Sequence, residues 1–201
     1  MARLARVFVA SGLYPTKMFT QHSSMMTAAT GRRNEMTAHD EHGPYKTFGK
    51  RRSLRLADHD YNESRAYHIT WGTYKRRTLL TSQPLASEVL RILEEEALRT
   101  RADLYAYCIM PDHVHVLLQP NGESLIQYAQ AVKGKTTRAY WTLNGSGKLW
   151  QRGFYDHGLR SEESIRGIAQ YILANPVRAG LVDEFRDYAF SGSTVFKLEE
   201  L

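Results

Sequence analysis

The chain has 201 residues, of which 42% are hydrophobic and 24% charged, a composition typical of a globular domain of ordinary size. It contains no apolar run near the roughly 20 residues of a membrane-spanning helix, so no spanning segment is expected. The single cysteine, Cys108, excludes an internal disulfide and a paired-cysteine zinc site, and it indicates a reducing cytoplasm. The net charge of +6 favours a polyanionic partner.

Residues 1–60 form a separate region by composition. They are rich in Thr, Ser, His, Gly and Arg, lack sustained periodicity, and hold 10 Lys and Arg against 5 Asp and Glu. This composition predicts a basic, disordered leader. The apolar stretch after Met1 is too short for a signal peptide. Lys50–Leu56 is interpreted either as a basic arm tethered before the fold or as a solvated linker.

The first half of the predicted domain, residues 61–190, begins with a strand. Residues 66–71 are aromatic and β-branched, as in a strand, and 84–99 carry apolar residues at helical spacing. Two further strands are predicted at 104–110 and 113–119. The short turn Pro111–Asp112 between them indicates an antiparallel hairpin.

The second half of the domain is predicted to be mostly helical. A helix is expected over 124–143, a short strand over 154–159, and a third helix capped by Ser161 and stopped or kinked at Pro176. Residues 191–201 are interpreted as a tail. The order β-α-β-β-α-β predicts an α+β, ferredoxin-like fold in which four antiparallel strands carry two helices on one face, with the third helix extra.

The strongest local motif is His113-Val114-His115. Side chains alternate along a strand, so the two imidazoles are expected to lie side by side on one sheet face. Neutral imidazole is a good ligand for divalent transition metals. Taken alone, the motif is weak, and two half-buried polar strand residues without a metal are its more common explanation.

Tyr171 and Asn175 are four residues apart, which places them on one face of the third helix. A phenol can act as a covalent nucleophile, and an Asn carbonyl oxygen can be a third metal ligand. Spacing alone allows the simpler interpretation that Tyr171 packs in the core and Asn175 precedes a proline turn.

Two further segments combine cations with residues suited to nucleic acid. Residues 150–160 mix aromatic side chains with Arg152, Arg160 and His157, and this mixture is suited to bases and phosphates. Residues 133–138 place Lys133 and Arg138 on the second helix, although a solvated helix face is the more common explanation for such a run.

Together these motifs resemble the HUH single-tyrosine transposases, in the branch of the REP-associated tyrosine transposases. The resemblance covers 51–182, and three motifs in the right order are far more specific than any one of them. The segments that carry it are Met110–His115, Gln151–Arg160, Tyr171–Ile172 and Asn175–Val182, with Arg51–Leu56 and Tyr67–Thr70 as the entry to the domain.

The resemblance implies an enzyme that nicks and rejoins single-stranded DNA beside a hairpin through a 5′-phosphotyrosine. By this resemblance, Tyr171 is the nucleophile, and His113 and His115 are ligands of Mg²⁺ or Mn²⁺. Asn175 falls where related enzymes place a third polar ligand. The metal would neutralise charge on the scissile phosphate.

The implied partner is single-stranded or hairpin DNA, in the cytoplasm and associated with the nucleoid. Relatives include dimers, which leaves a homodimer open. The candidate DNA-contacting residues are Arg152, Arg160, Arg178, Lys133, Arg138 and His157.

A catalytically silent DNA- or RNA-binding module of the same fold is the alternative. The same β-α-β-β-α-β core serves readers of single-stranded RNA, which need exposed aromatic residues on their central strands. Tyr105 and Tyr107 are the candidates for that role. This alternative accounts for neither the paired histidines nor the segment around Tyr171.

Overall fold

A computed structural model of the chain describes residues 65–160 and 163–201. The predicted leader, residues 1–60, lies outside the described residues, as do the basic arm Lys50–Leu56 and Ser161. In the part of the chain that is described, no helix is both long and apolar enough to cross a membrane.

The described residues form a five-stranded, fully antiparallel sheet with helices on both of its faces. The strand order is β4-β1-β3-β2-β5, and the first six major elements follow the predicted β-α-β-β-α-β order. The α+β, ferredoxin-like fold class is therefore confirmed. The elements are β1 Tyr67–Gly72, α1 Gln83–Thr100, β2 Asp103–Met110, β3 His113–Gln119, α2 Leu125–Thr142, β4 Tyr155–Gly158, α3 Ile165–Leu173, α4 Asn175–Arg178 and β5 Ser191–Gly192.

The structure differs from the sequence prediction in the region that follows β4. The residue that caps α3 is Ser164, whose hydroxyl accepts a hydrogen bond from the Gly167 amide, so the cap predicted at Ser161 is wrong. The expected tail contains β5, which pairs with β2. As predicted, the helix is broken at Pro176: α3 ends at Leu173, and the proline lies in the first turn of α4, where its missing amide is tolerated.

The two faces of the sheet carry separate hydrophobic cores. Val114 and Val116 of β3 pack with α1 and α2 in the larger core, which confirms that two helices share one face. Leu117 packs on the opposite face, where Ala169 and Ile172 of α3 cover the sheet. Because side chains alternate along β3, the imidazoles of His113 and His115 are on the α3 face.

The buried carboxylate of Glu96 on α1 forms an ion pair that joins this helix to α2. Only 1% of the Glu96 side chain is exposed, and it accepts hydrogen bonds from Lys135 of α2 and, at 3.0 Å, from Arg99. Burial raises the pKa of Glu96 and these two cations lower it, with a net result below the usual range. Glu96 is therefore ionised at neutral pH and stabilises the folded state there.

We expect Glu96→Ala to reduce the free energy of unfolding by roughly 2–3 kcal/mol at neutral pH, because it breaks a buried charge pair. The difference should shrink as the pH falls below the ordinary Glu pKa of about 4.3, since protonation removes the same interaction. Urea denaturation measures both effects. Glu95→Ala is the matched control: its exposed pair with Arg91 should contribute no more than about 0.5 kcal/mol. Equal losses in the two variants would contradict a stabilising role of the buried pair.

Candidate active site

The two histidines of β3 direct one nitrogen each toward a common position. His113 Nε2 and His115 Nε2 are 3.0 Å apart, and their rings meet edge to face with centroids separated by 4.7 Å. Burial lowers the pKa of His113, partly opposed by Asp112, and lowers that of His115 well below its usual value. Both rings are therefore neutral at pH 7, the form that can bind a metal.

A carboxylate fixes the tautomer of His113. Its Nδ1 lies 2.6 Å from Asp112 Oδ1, and because a carboxylate only accepts, Nδ1 carries the proton. The Nε2 of His113 is thereby the unprotonated nitrogen, and it faces His115 Nε2. Asp112 is held in turn by Arg76, whose Nε is 2.8 Å from Asp112 Oδ2. Arg76 and its neighbour Lys75 both have a φ of 56°, a strained conformation of the kind found at functional sites.

Strand β1 supplies the partners of the second ring. His115 Nδ1 lies 3.0 Å from Thr70 Oγ1 and 3.1 Å from His68 Nε2. Burial, with a further contribution from His157, lowers the pKa of His68 to about 4, so this third imidazole is neutral as well. Polar partners on Nδ1 orient the ring and leave Nε2 of His115 for the shared position.

The tyrosine helix lies against the same face of the sheet as the histidines. Tyr171 is 38% exposed, and the Arg178 guanidinium lies 4.1 Å from the centre of its ring. Arg178 Nη2 also donates to the Tyr171 carbonyl at 2.9 Å. Among several causes, the charge of Arg178 contributes to the low pKa of His115, so its guanidinium lies within electrostatic range of both. Arg178 thus contacts the phenol and adds positive charge to the surroundings of His115.

The side chain of Asn175 is engaged within its own helical segment. Its Oδ1 accepts from Arg178 Nη2 at 2.8 Å, and its Nδ2 donates to the Ile172 carbonyl at 2.9 Å. Asn175 therefore caps the end of α3 and orients Arg178. Its assignment as a third metal ligand stays a prediction.

The residues fit a divalent metal with two histidine ligands and open positions for oxygen ligands. The fit rests on two neutral imidazoles, each held by a partner on its other nitrogen, with their Nε2 atoms 3.0 Å apart. Within the described ranges, no group of three or more His, Cys, Asp or Glu side chains is arranged to hold a metal ion.

Comparison with known proteins identifies the family. Residues 62–175, more than half of the chain, match the profile of the family described as transposase IS200 like. The chain belongs to this family of IS200-like transposases. The matched residues include His113, His115, Tyr171 and Asn175, whereas Arg178 lies just beyond them.

Two relatives connect this IS200-like transposase with the branch of the REP-associated tyrosine transposases. It is 28% identical over 141 residues to the REP-associated tyrosine transposase of Escherichia coli K12, an alignment that covers 65% of this chain and 81% of that protein. A solved REP-associated tyrosine transposase, bound to a REP hairpin, matches with a TM-score of 0.56 and 25% identity, covering 68% of this chain and 81% of that one. The resemblance read from the sequence motifs is confirmed.

The structure distributes the candidate DNA-contacting residues of this transposase over several places. Arg152 and Arg160 are exposed. Lys133 donates to the carbonyls of Gln151 and Gly153, at 2.8 and 2.5 Å, and burial lowers its pKa to about 8. Lys133 therefore holds the loop that carries Arg152.

Two other candidates have neighbours that separate them from this loop. His157 on β4 lies 3.0 Å from a carboxylate oxygen of Glu163. Arg138 lies on another flank of α2, beside Glu88 and Glu95 of α1. The structure thus does not bring Arg138 and His157 together with Lys133 and Arg152.

The aromatic residues required by the RNA-reading alternative are packed. Tyr107 is 6% exposed, lies in the larger core and donates to Glu94 Oε1 at 3.0 Å. Tyr105 is half-buried against Phe196, with ring centroids 5.8 Å apart. Neither residue presents an open ring to a base, so the structure gives this alternative no support.

Sequence reasoning missed the partners that orient the histidines. Thr70 lies directly opposite His115 in the pairing of β1 with β3, and His68 shares its face. The alternation of His68 and Thr70 along β1 was the available signal. Arg76 gave no such signal, because its role depends on a left-handed backbone conformation that no sequence pattern indicates.

Proposed function

We propose that this transposase nicks and rejoins single-stranded DNA beside a hairpin through a covalent bond to Tyr171. The observation that carries the proposal is that α3, with Tyr171, covers the face of the sheet on which His113 and His115 converge. The candidate nucleophile and the candidate metal site thereby lie on one side of the sheet, and the Arg178 guanidinium contacts the Tyr171 ring.

In the proposed cleavage, the Tyr171 hydroxyl oxygen attacks the scissile phosphorus and loses its proton. The bond from phosphorus to the 3′ oxygen breaks, and that oxygen takes up a proton and leaves as a 3′-hydroxyl. The product is a 5′-phosphotyrosine, in which one phosphodiester has replaced another. A later attack by a 3′-hydroxyl reverses the exchange and rejoins strands without an external energy source.

The protein residues prepare this exchange by holding charge in place. Arg178, fixed by the Tyr171 carbonyl and by Asn175, places a cation next to the phenol ring, where a phosphate would be received. When bound, Mg²⁺ or Mn²⁺ held by His113 and His115 would supply polarisation of the phosphate and charge neutralisation. Asp112 keeps His113 in the tautomer that this requires, and Thr70 orients the ring of His115.

The proposal is tested by mixing the purified protein with a labelled hairpin that has a single-stranded flank, in the presence of Mn²⁺. We expect a labelled band that shifts to the size of protein plus DNA and survives denaturant, because the 5′-phosphotyrosine is covalent. The unlabelled fragment should end in a 3′-hydroxyl that a polymerase can extend. Stable hairpin binding without any adduct under these conditions would favour the catalytically silent alternative.

A further inference from the structure

A groove of about 360 Å³ lies between α2 and the segment that joins α2 to β4. Its lining combines an exposed aromatic ring, two exposed cations, the half-buried Lys133 and a glycine in the middle of a helix. The lining residues that matter are Gly134, Trp141, Lys148, Gln151 and Arg152.

Trp141 is an exposed and fixed aromatic surface beside this groove. It is 54% exposed, whereas the other two tryptophans, Trp71 and Trp150, are 1% and 7% exposed. Its indole Nε1 donates to the Gly147 carbonyl at 2.9 Å, which ties the ring to the loop after α2. An aromatic face held in this way can stack a base at little entropic cost.

The charge of the groove suits a phosphate backbone. Lys148 and Arg152 are both exposed, and no Asp or Glu of the described residues is among those that line it. The neighbouring groove between α1 and α2 differs, because Glu88 and Glu95 contribute carboxylates there. Of these two grooves, the one beside Trp141 is suited to a polyanion.

Gly134 keeps the floor of the groove open. Glycine is unfavourable in the interior of a helix, yet it lies in the middle of α2. A Cβ at this position would meet no atom within 4 Å, so packing inside the protein does not require a glycine. The missing side chain leaves space for a ligand to approach the helix backbone.

The groove leads to the candidate active site through Gln151. The backbone N–H of Gln151 donates to the Gly72 carbonyl at 2.9 Å, and Gly72 pairs with His113 in the sheet. The side chains of Gln151 and Arg76 both lie beside Gly72: a Cβ built on this glycine would be 3.5 Å from the Gln151 side chain and 3.2 Å from the Arg76 side chain. Arg76 in turn holds Asp112. Gln151 therefore borders both the groove and the end of the sheet that carries the histidine pair.

We propose that this groove binds the single-stranded DNA that flanks the scissile phosphate. One base stacks on Trp141, and the phosphates beside it pair with Lys148 and Arg152. The inference rests on the proposed function and adds the place where the unpaired strand is held.

The test compares two labelled DNA hairpins by fluorescence anisotropy, one with a single-stranded flank of about six nucleotides and one with blunt ends. The wild-type protein should bind the flanked hairpin more tightly. Trp141→Ala should weaken binding of the flanked hairpin about tenfold and leave the blunt one unchanged, because base stacking is lost. Trp141→Phe should restore affinity to within about twofold, since it keeps an aromatic face. Leu98→Ala, at an 80% exposed apolar site on α1, is the control and should change neither affinity.

Two further measurements separate a missing contact from a misfolded variant. The flanked hairpin should quench the fluorescence of the wild-type protein, because Trp141 is the exposed tryptophan, and Trp141→Phe should lose that quenching while still binding. Gly134→Leu should fill the groove and weaken binding of the flanked hairpin about tenfold. Its thermal stability should not fall, because leucine favours a helix more than glycine does.

The outcomes distinguish this inference from the proposed function. Equal affinity of the wild-type protein for both hairpins, or unchanged flank binding in Trp141→Ala, would overturn the groove while leaving the Tyr171 chemistry intact. A wild-type protein that binds neither hairpin would contradict the proposed function and the inference together.

Discussion

Replacing Tyr171 with phenylalanine is expected to abolish the covalent protein–DNA adduct, a loss of at least about a thousandfold in strand cleavage. The variant lacks the oxygen that forms the bond to phosphorus. The phenylalanine ring can keep its contact with the Arg178 guanidinium, and the backbone carbonyl that Arg178 also uses is unaffected. Denaturing electrophoresis of labelled hairpin DNA measures the adduct.

Binding should survive this substitution, which separates the nucleophile from the DNA-binding surface. Tyr171 is partly exposed and lies outside the buried part of α3, so folding should not suffer. We expect the affinity for a flanked hairpin to stay within about threefold of the wild-type value, since one hydroxyl contributes little to a largely ionic interface.

Tyr105→Phe provides a matched control for the removal of a hydroxyl. Tyr105 packs on the same face of the sheet, and its hydroxyl donates toward Gln119, at the end of β3 opposite His113. This control should form the adduct at the wild-type rate. An adduct that persists in Tyr171→Phe would show that another residue is the nucleophile and would overturn the proposal.

Much of the fold and part of the site could be predicted because they depend on local patterns. The alternation around Val114 determines which face His113 and His115 occupy, and the short turn at Pro111–Asp112 makes β2 and β3 a hairpin. The apolar residues of α1 recur at helical spacing, so its limits were predicted to within one residue.

The remaining features depend on contacts between distant parts of the chain. The sequence pattern of α3 does not say which sheet face it covers; that follows from Ala106 and Cys108 on β2, which leave room for a helix on the side opposite α1 and α2. β5 has only two residues, too few for any periodicity, and exists because Gly192 fits closely against Tyr107. The role of Asp112 depends on a side-chain contact with its neighbour His113 and on an ion pair with Arg76, which lies 36 positions earlier in the chain.

Replacing either histidine of the pair with alanine is expected to remove strand cleavage together with its dependence on Mn²⁺. Charge stabilisation by a metal contributes several kcal/mol to such a reaction, so we expect a loss of about a thousandfold. Binding of Mn²⁺ itself, measured by calorimetry on Tyr171→Phe protein without DNA, should be lost in His113→Ala and in His115→Ala. This second measurement does not depend on cleavage.

The Asp112→Asn variant should give a graded effect that a purely structural role would not produce. An amide can still accept from His113 Nδ1 but lacks the charge that strengthens the ring as a ligand, so the affinity for Mn²⁺ should fall by about 10- to 100-fold. Asp103→Asn, at the far end of the same hairpin, and Gln119→Ala, on the same face of β3, should leave the affinity unchanged. Cleavage by the wild-type protein that continues at full rate in a chelator would contradict the metal role. Because Tyr171 would still be required in that case, the two predictions fail independently.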